Sequence, residues 1–209
     1  MRWLWRGGVL GLVLVLVMVA ATVDGQTTAL AGVIDFHVHS GPDSRPRSVS
    51  DLEVARIAKR AGMRGLVFKN HFTMTADRAW LAMQEVDGIE IFGGVALNHA
   101  VGGLNAEAVR QLVAFSGERG KVVWLPTFDA EFWMTRAGTP GEFVAVMRDG
   151  APDPALGEIF DLIAKHDLVL PMGHSSPEEV LALIPEARRR GVEHILITHG
   201  LGQQPSRDQ

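Results

Sequence analysis

The residues of this chain with the clearest chemical potential are His37 and His39, in the stretch Asp35-Phe36-His37-Val38-His39. That stretch follows an apolar run, Gly32-Val33-Ile34, and enters a turn at Gly41-Pro42-Asp43, so it reads as the exit of a buried strand. Side chains alternate across a strand, which puts both histidines on one face, about 6–7 Å apart along the backbone. Two imidazoles so placed can converge on one divalent cation at about 2.0–2.1 Å per Zn–N bond. Asp35 shares the face one step deeper, where its carboxylate could hold a ligand histidine by its second nitrogen. The alternative for the pair alone is two hydrogen-bonded core histidines, so the rest of the chain has to supply further ligands.

Composition narrows what that chemistry can be. The 209 residues include no cysteine, which removes thiolate nucleophiles, zinc–thiolate sites and disulfides. Any metal site must be built from His, Asp, Glu or Lys. With 24 acidic and 20 basic side chains the net charge is −4. The one basic cluster, Arg188-Arg189-Arg190, falls in the last turn of a predicted helix, where cations complement the helix dipole. Nucleic acid is therefore not an expected partner. The hydrophobic share of 47% supports one domain with a substantial core.

The elements that must position the histidines begin after a separate leader. Arg2 and Arg6 precede an unbroken apolar run from Val9 to Ala21, and Val19-Ala20-Ala21 and Ala29-Leu30-Ala31 both suit signal-peptidase cleavage. Residues 1–31 thus read as a secretory signal peptide. The alternative is an uncleaved membrane anchor, because Gly7 to Val23 reaches the lower edge of a membrane span. Either places the domain outside the cytoplasm, periplasmic or secreted, and a membrane is a partner only if the segment stays attached.

Beyond the leader, residues 32–200 alternate short apolar runs with helical patterns. Strands are expected near Val33–Phe36, Gly65–Lys69, Glu90–Gly94, Val122–Pro126, Leu168–Pro171 and His194–Thr198. Ser50-Asp51-Leu52-Glu53 and Ser176-Pro177-Glu178-Glu179 are capping boxes opening helices that Gly62 and Gly191 close. Asn105 caps a third helix running towards Gly117, and weaker periodicity places two more at Ala76–Val86 and Ala155–Lys165. Strand–helix alternation implies parallel crossovers and hence an α/β sheet or barrel. The long connection from Asp129 to about Pro154 reads as a functional loop.

All six predicted strands end in chemistry-bearing residues: His37 and His39, then Lys69-Asn70-His71, Asn98-His99, Thr127 and Asp129, His174, and Thr198-His199. In parallel α/β architectures ligands bind at those carboxyl ends. The first-strand His37 and His39, the later strand-end His174 and the pair Thr198-His199 together resemble the amidohydrolase superfamily of metal-dependent hydrolases. The phrases Ala61-Gly62-Met63-Arg64-Gly65, Lys69-Asn70-His71, Gly93-Gly94-Val95-Ala96-Leu97-Asn98 and Gly102-Gly103-Leu104-Asn105 resemble an uncharacterised family within it.

The resemblance implies a distorted TIM-like (β/α) barrel holding one or two divalent metals that activate water. His37 and His39 would be ligands, with His174, His199 or both. Lys69 would be a carbamylated bridge, although that lysine usually ends the fourth strand rather than the second. His71 looks more like a second-strand ligand of the polymerase-and-histidinol-phosphatase barrels. The superfamily's last-strand aspartate has no counterpart. Six strands fall two short of an eight-stranded barrel, or one short of a seven-stranded variant. The polar stretch 201–209 reads as a disordered or non-native tail, so the barrel is expected to be incomplete.

The expected activity is a metal-dependent hydrolase acting through metal-activated water on an amide, ester or lactone-type bond of a small molecule. The expected metal is Zn²⁺, with Mn²⁺, Fe²⁺, Co²⁺ and Ni²⁺ also compatible with nitrogen and oxygen ligands. Asp129 is the candidate catalytic carboxylate, and Asn98 and Arg136 are candidate substrate contacts, Arg136 in a loop with Phe132 and Trp133. One alternative is a phosphoesterase of the polymerase-and-histidinol-phosphatase type. Another is an exported metal-binding module, or inactive truncated barrel, without catalysis.

Overall fold

The structure, a computed structural model, describes residues 29–200. Most of the expected leader and the whole of the expected tail lie outside the described residues. In chain order the elements are β1 (Ile34–Val38), α1 (Asp51–Arg60), β2 (Gly65–Phe68), α2 (Ala76–Glu85), β3 (Glu90–Ala96), α3 (Ala106–Ala114), β4 (Gly120–Trp124), α4 (Glu131–Ala137), β5 (Met147–Arg148), β6 (Ala151–Pro152), α5 (Ala155–Lys165), β7 (Val169–Pro171), α6 (Pro177–Arg189) and β8 (His194–Leu196). The helix starts follow from their caps. Ser50 Oγ accepts from the Glu53 amide while Glu53 accepts from the Ser50 amide, and Ser176 and Glu179 repeat the exchange with Pro177 in the first turn.

Six strands form one parallel sheet in the order β1-β2-β3-β4-β7-β8, each joined to the next by a crossover containing a helix. Five inter-strand steps of about 4.8 Å would hold β1 and β8 roughly 24 Å apart in a flat sheet. The rings of His37, in β1, and His199, just past β8, are instead 5.1 Å apart. The sheet therefore curls until its two edge strands face each other. Alternation along each strand sorts the core into layers. Val67, Ala96, Val122 and Trp124 pack inside the curl, while Leu66 and Phe68 pack outward with helical residues such as Ala55 and Ala79. Val95, Val123 and Leu170 pack outward in the larger cluster that includes Val109, Ile159 and Leu183. Gly94 makes room for this arrangement: a Cβ there would lie 2.4 Å from Trp124 Cζ3 and 2.3 Å from the Val122 carbonyl oxygen.

The connection between residues 129 and 154 is more structured than a loop. It holds α4 and a two-stranded antiparallel hairpin, β5–β6. Asp149 and Gly150 at the hairpin turn have φ of 50° and 77°. That is the backbone an Asp-Gly pair favours in a two-residue turn.

Candidate functional site

Alternation carries one polar file up the inner face of the sheet. Above Val67 comes Lys69, one residue past β2, with its ammonium nitrogen 5.2 Å over the Trp124 ring and 3.0 Å from His37 Nε2. Lys69 is only 1% exposed, and burial pushes its pKa down to about 7. Around it five imidazoles close a ring. Centroid separations are 5.1 Å for His37–His39, 4.8 Å for His39–His71, 6.1 Å for His71–His174, 5.4 Å for His174–His199 and 5.1 Å for His199–His37. The curl of the sheet closes this ring, because its members come from both edge strands.

Every one of these imidazoles is driven towards neutrality. Burial, then the positive charge of Lys69, lowers His37 to about 3, His39 to about 4, His71 to about 2 and His174 to about 3, and moves His199 in the same direction. Neutral imidazole is the form that binds a metal. Aromatic side chains wall the group. Phe128 stacks on His71 at 3.9 Å, and Trp133, from α4, lies 4.7 Å from His174. The exposed Arg45 places its guanidinium 4.2 Å over Phe128. Arg47 is held by Asp43 at 2.6 Å and only approaches His39 Nδ1, at 3.4 Å.

The ring spacings suit a metal. Imidazoles bound to one tetrahedral ion at about 2.0–2.1 Å have centroids about 5 Å apart. Three of the six pair separations in the set His39, His37, His199 and His174 have this length, at 5.1, 5.1 and 5.4 Å between consecutive rings. His174 Nδ1 and Thr198 Oγ1 are buried without a hydrogen-bond partner, so the site holds polar atoms that a further group would satisfy. The donor atoms do not yet share the order of the rings: among the described residues, no three His, Asp or Glu side chains are already arranged to grip one ion.

Other expected site residues lie differently. Asn98 is fully buried and its amide is committed to Thr127 and to the His71 carbonyl. Asp129 accepts the His99 amide at 2.8 Å, and its carbonyl accepts from Val144, so it anchors the connection holding α4 and the hairpin. Arg136 rests 6.0 Å from the Phe132 ring. Among the described residues, no hydrogen bond or ring contact links Asp129 or Arg136 to the five imidazoles. Asp35 accepts the backbone amide of His37 at 2.9 Å, not its ring, and the register of β1 on β2 is irregular between Asp35 and Val38. Sequence reading gave no role to Arg45 or Phe128, whose only signal is their nearness to the first and fourth strand exits.

Residues 32–206 match a family of unknown function (DUF6282). The chain belongs to that family. The match to DUF6282 takes in Lys69 and all five imidazoles of the ring. No curated protein matches the chain. A solved structure of a proposed deoxyribose-phosphate aldolase from Coccidioides immitis is similar over 82% of this chain, with a TM-score of 0.47 and 11% identity. The chain spans 61% of the length of that protein.

Proposed function

We propose that this chain is a metal-dependent hydrolase whose divalent ion, Zn²⁺ first, is held by His37, His39, His174 and His199. The convergence of those four rings at one end of the sheet, with consecutive separations of 5.1–5.4 Å, carries the proposal, supported by their depressed pKa values and by the buried His174 Nδ1. The resemblance to the amidohydrolase superfamily supports it independently, and on this reading the curled six-stranded sheet is part of a (β/α) barrel. Independently of the site, Arg2, Arg6 and the apolar run from Val9 to Ala21 support reading residues 1–31 as an export signal or membrane anchor.

When bound, such an ion supplies Lewis acidity towards a carbonyl or phosphoryl oxygen and lowers the pKa of water to about 7. The chain's own groups do the rest. Phe128 and Trp133 shield His71 and His174 from solvent and so strengthen the electrostatic contacts there. Lys69, buried beside the ring and hydrogen-bonded to His37, would be the group that takes up a proton. It replaces Asp129 in that role, since Asp129 is engaged with His99.

A phosphoesterase is the second reading, and one feature favours it. An all-imidazole ligand set leaves the charge of the ion uncompensated, and Arg45 adds an exposed guanidinium beside the Phe128 wall. Both suit an anionic substrate. Activity on aryl phosphates rather than on aryl esters, amides or lactones would select it; metal binding without any turnover would select the non-catalytic module.

Elemental analysis of the zinc-loaded, dialysed full chain tests the metal itself. Wild type is expected to retain stoichiometric metal, and the His37→Ala, His39→Ala double variant less than about a tenth of it, as loss of half the ligands implies. Equal content in the two proteins, or none in wild type, would overturn the proposal.

A further inference from the structure

We infer that Asn98 and Thr127 fix His71 in the tautomer that carries its proton on Nε2, so that His71 offers the site a hydrogen-bond donor for a substrate oxygen instead of a metal ligand. The argument begins at Asn98, whose amide orientation is forced. Its Oδ1 accepts the Thr127 amide at 2.8 Å and lies 3.4 Å from the Asp129 amide. Its Nδ2 donates to the His71 carbonyl at 2.8 Å and to Thr127 Oγ1 at 2.7 Å. Reversing the amide would set NH₂ against backbone N–H donors and oxygen against a carbonyl.

Thr127 Oγ1 therefore receives a hydrogen from Asn98 and has one hydrogen of its own to give. The residue is fully buried, and its remaining partner is His71 Nδ1 at 2.8 Å. If Nδ1 carried the proton it would donate to Oγ1, and the hydroxyl hydrogen would be left buried with no acceptor. With Nδ1 unprotonated, every group in the chain Asn98–Thr127–His71 is satisfied.

The proton then sits on Nε2, on the ring edge away from Thr127. The His71 ring is 4.8 Å from His39 and 6.1 Å from His174, at the rim of the four proposed ligands. A fixed N–H there stabilises negative charge developing on a carbonyl or phosphoryl oxygen without reorganising. Asn98 and Thr127 are then positioning residues. The role towards substrate rests on the hydrolase reading; the tautomer does not.

Long-range ¹H–¹⁵N correlation spectra of the ¹⁵N-labelled full chain read the tautomer directly, with His71→Phe assigning the signal. The expected result is a His71 proton on Nε2 both with chelator and with added Zn²⁺, shifting to a mixture in Thr127→Val. Zinc titration of His71→Phe should give an affinity within about threefold of wild type, whereas His174→Phe should lose at least about tenfold, as for a ligand. A proton on Nδ1, or a zinc loss in His71→Phe matching that in His174→Phe, would overturn the inference. If wild type takes up no zinc, the hydrolase reading falls and the spectra alone decide the tautomer.

Discussion

Lys69, His71 and His174 hold ionisable atoms where water scarcely reaches: Lys69 is 1% exposed, and His71 and His174 are each 4% exposed. Burial removes the hydration a charge needs, and among the described residues no carboxylate stands against these groups to replace it. The folded protein therefore keeps its imidazoles neutral to about pH 3 or lower at His71 and His174, whereas the unfolded chain protonates them near 6.5. Between those values the unfolded state binds more protons, so stability is greatest above pH 6.5 and falls as pH drops. Each pH unit costs up to about 1.4 kcal/mol per fully neutral imidazole. In the chelator-treated protein, urea unfolding should show a loss of roughly 2–4 kcal/mol from pH 6.5 to 5, before most carboxylates titrate. A flat profile across that window would mean that the imidazoles are protonated inside the fold.

Secondary-structure elements hold the histidine ring through ties that run between them. Arg78, on α2, bonds both carboxylate oxygens of Asp51, at the start of α1, each at 2.7 Å. Asp51 also accepts from Ser40, the residue after His39, and Arg78 donates to the Ser40 carbonyl at 3.1 Å. Removing the cation alone leaves a buried carboxylate without its partner. Arg78→Met is thus expected to destabilise the fold by about 3–5 kcal/mol in urea unfolding, while Asp51→Leu with Arg78→Met recovers most of that loss. Equal losses in single and double variants would show that packing, not charge, is what Arg78 supplies. This tie also marks where sequence reading stopped. Strands, capping boxes and the order of strand exits were legible because they are local patterns, and so were His37, His39, Lys69, His71, His174 and His199 as neighbours at one end of the sheet. The bond from Arg78 to Asp51 spans 27 residues, and those of Thr127 to Asn98 and to His71 span 29 and 56. No local period records such pairings, so the bonds that tie Asn98 to Thr127 and His71, and Asp129 to His99, had no signal in the sequence.

At the scale of the whole molecule the curl leaves two edge strands, β1 and β8, which have sheet partners on one side only among the described residues. Their flanks are apolar: Val33 and Phe36 are 40% and 37% exposed, and Ile197 is 43% exposed. An edge with unpaired backbone groups and exposed hydrophobic side chains is a template for pairing with another chain. Neither edge carries a lysine, the residue most often used to block such pairing; β1 has Asp35, and His194 begins β8. The full chain is therefore expected to associate as its concentration rises, and light scattering across a dilution series measures this directly. Phe36→Lys with Ile197→Lys should hold the protein monomeric at concentrations where wild type associates, because a charge at each edge must be desolvated before strands can pair. Zinc content should be unchanged in that variant, since neither residue belongs to the histidine ring. A wild-type mass that stays monomeric throughout would show that the edges are covered, and a double variant associating like wild type would place the contact on another surface.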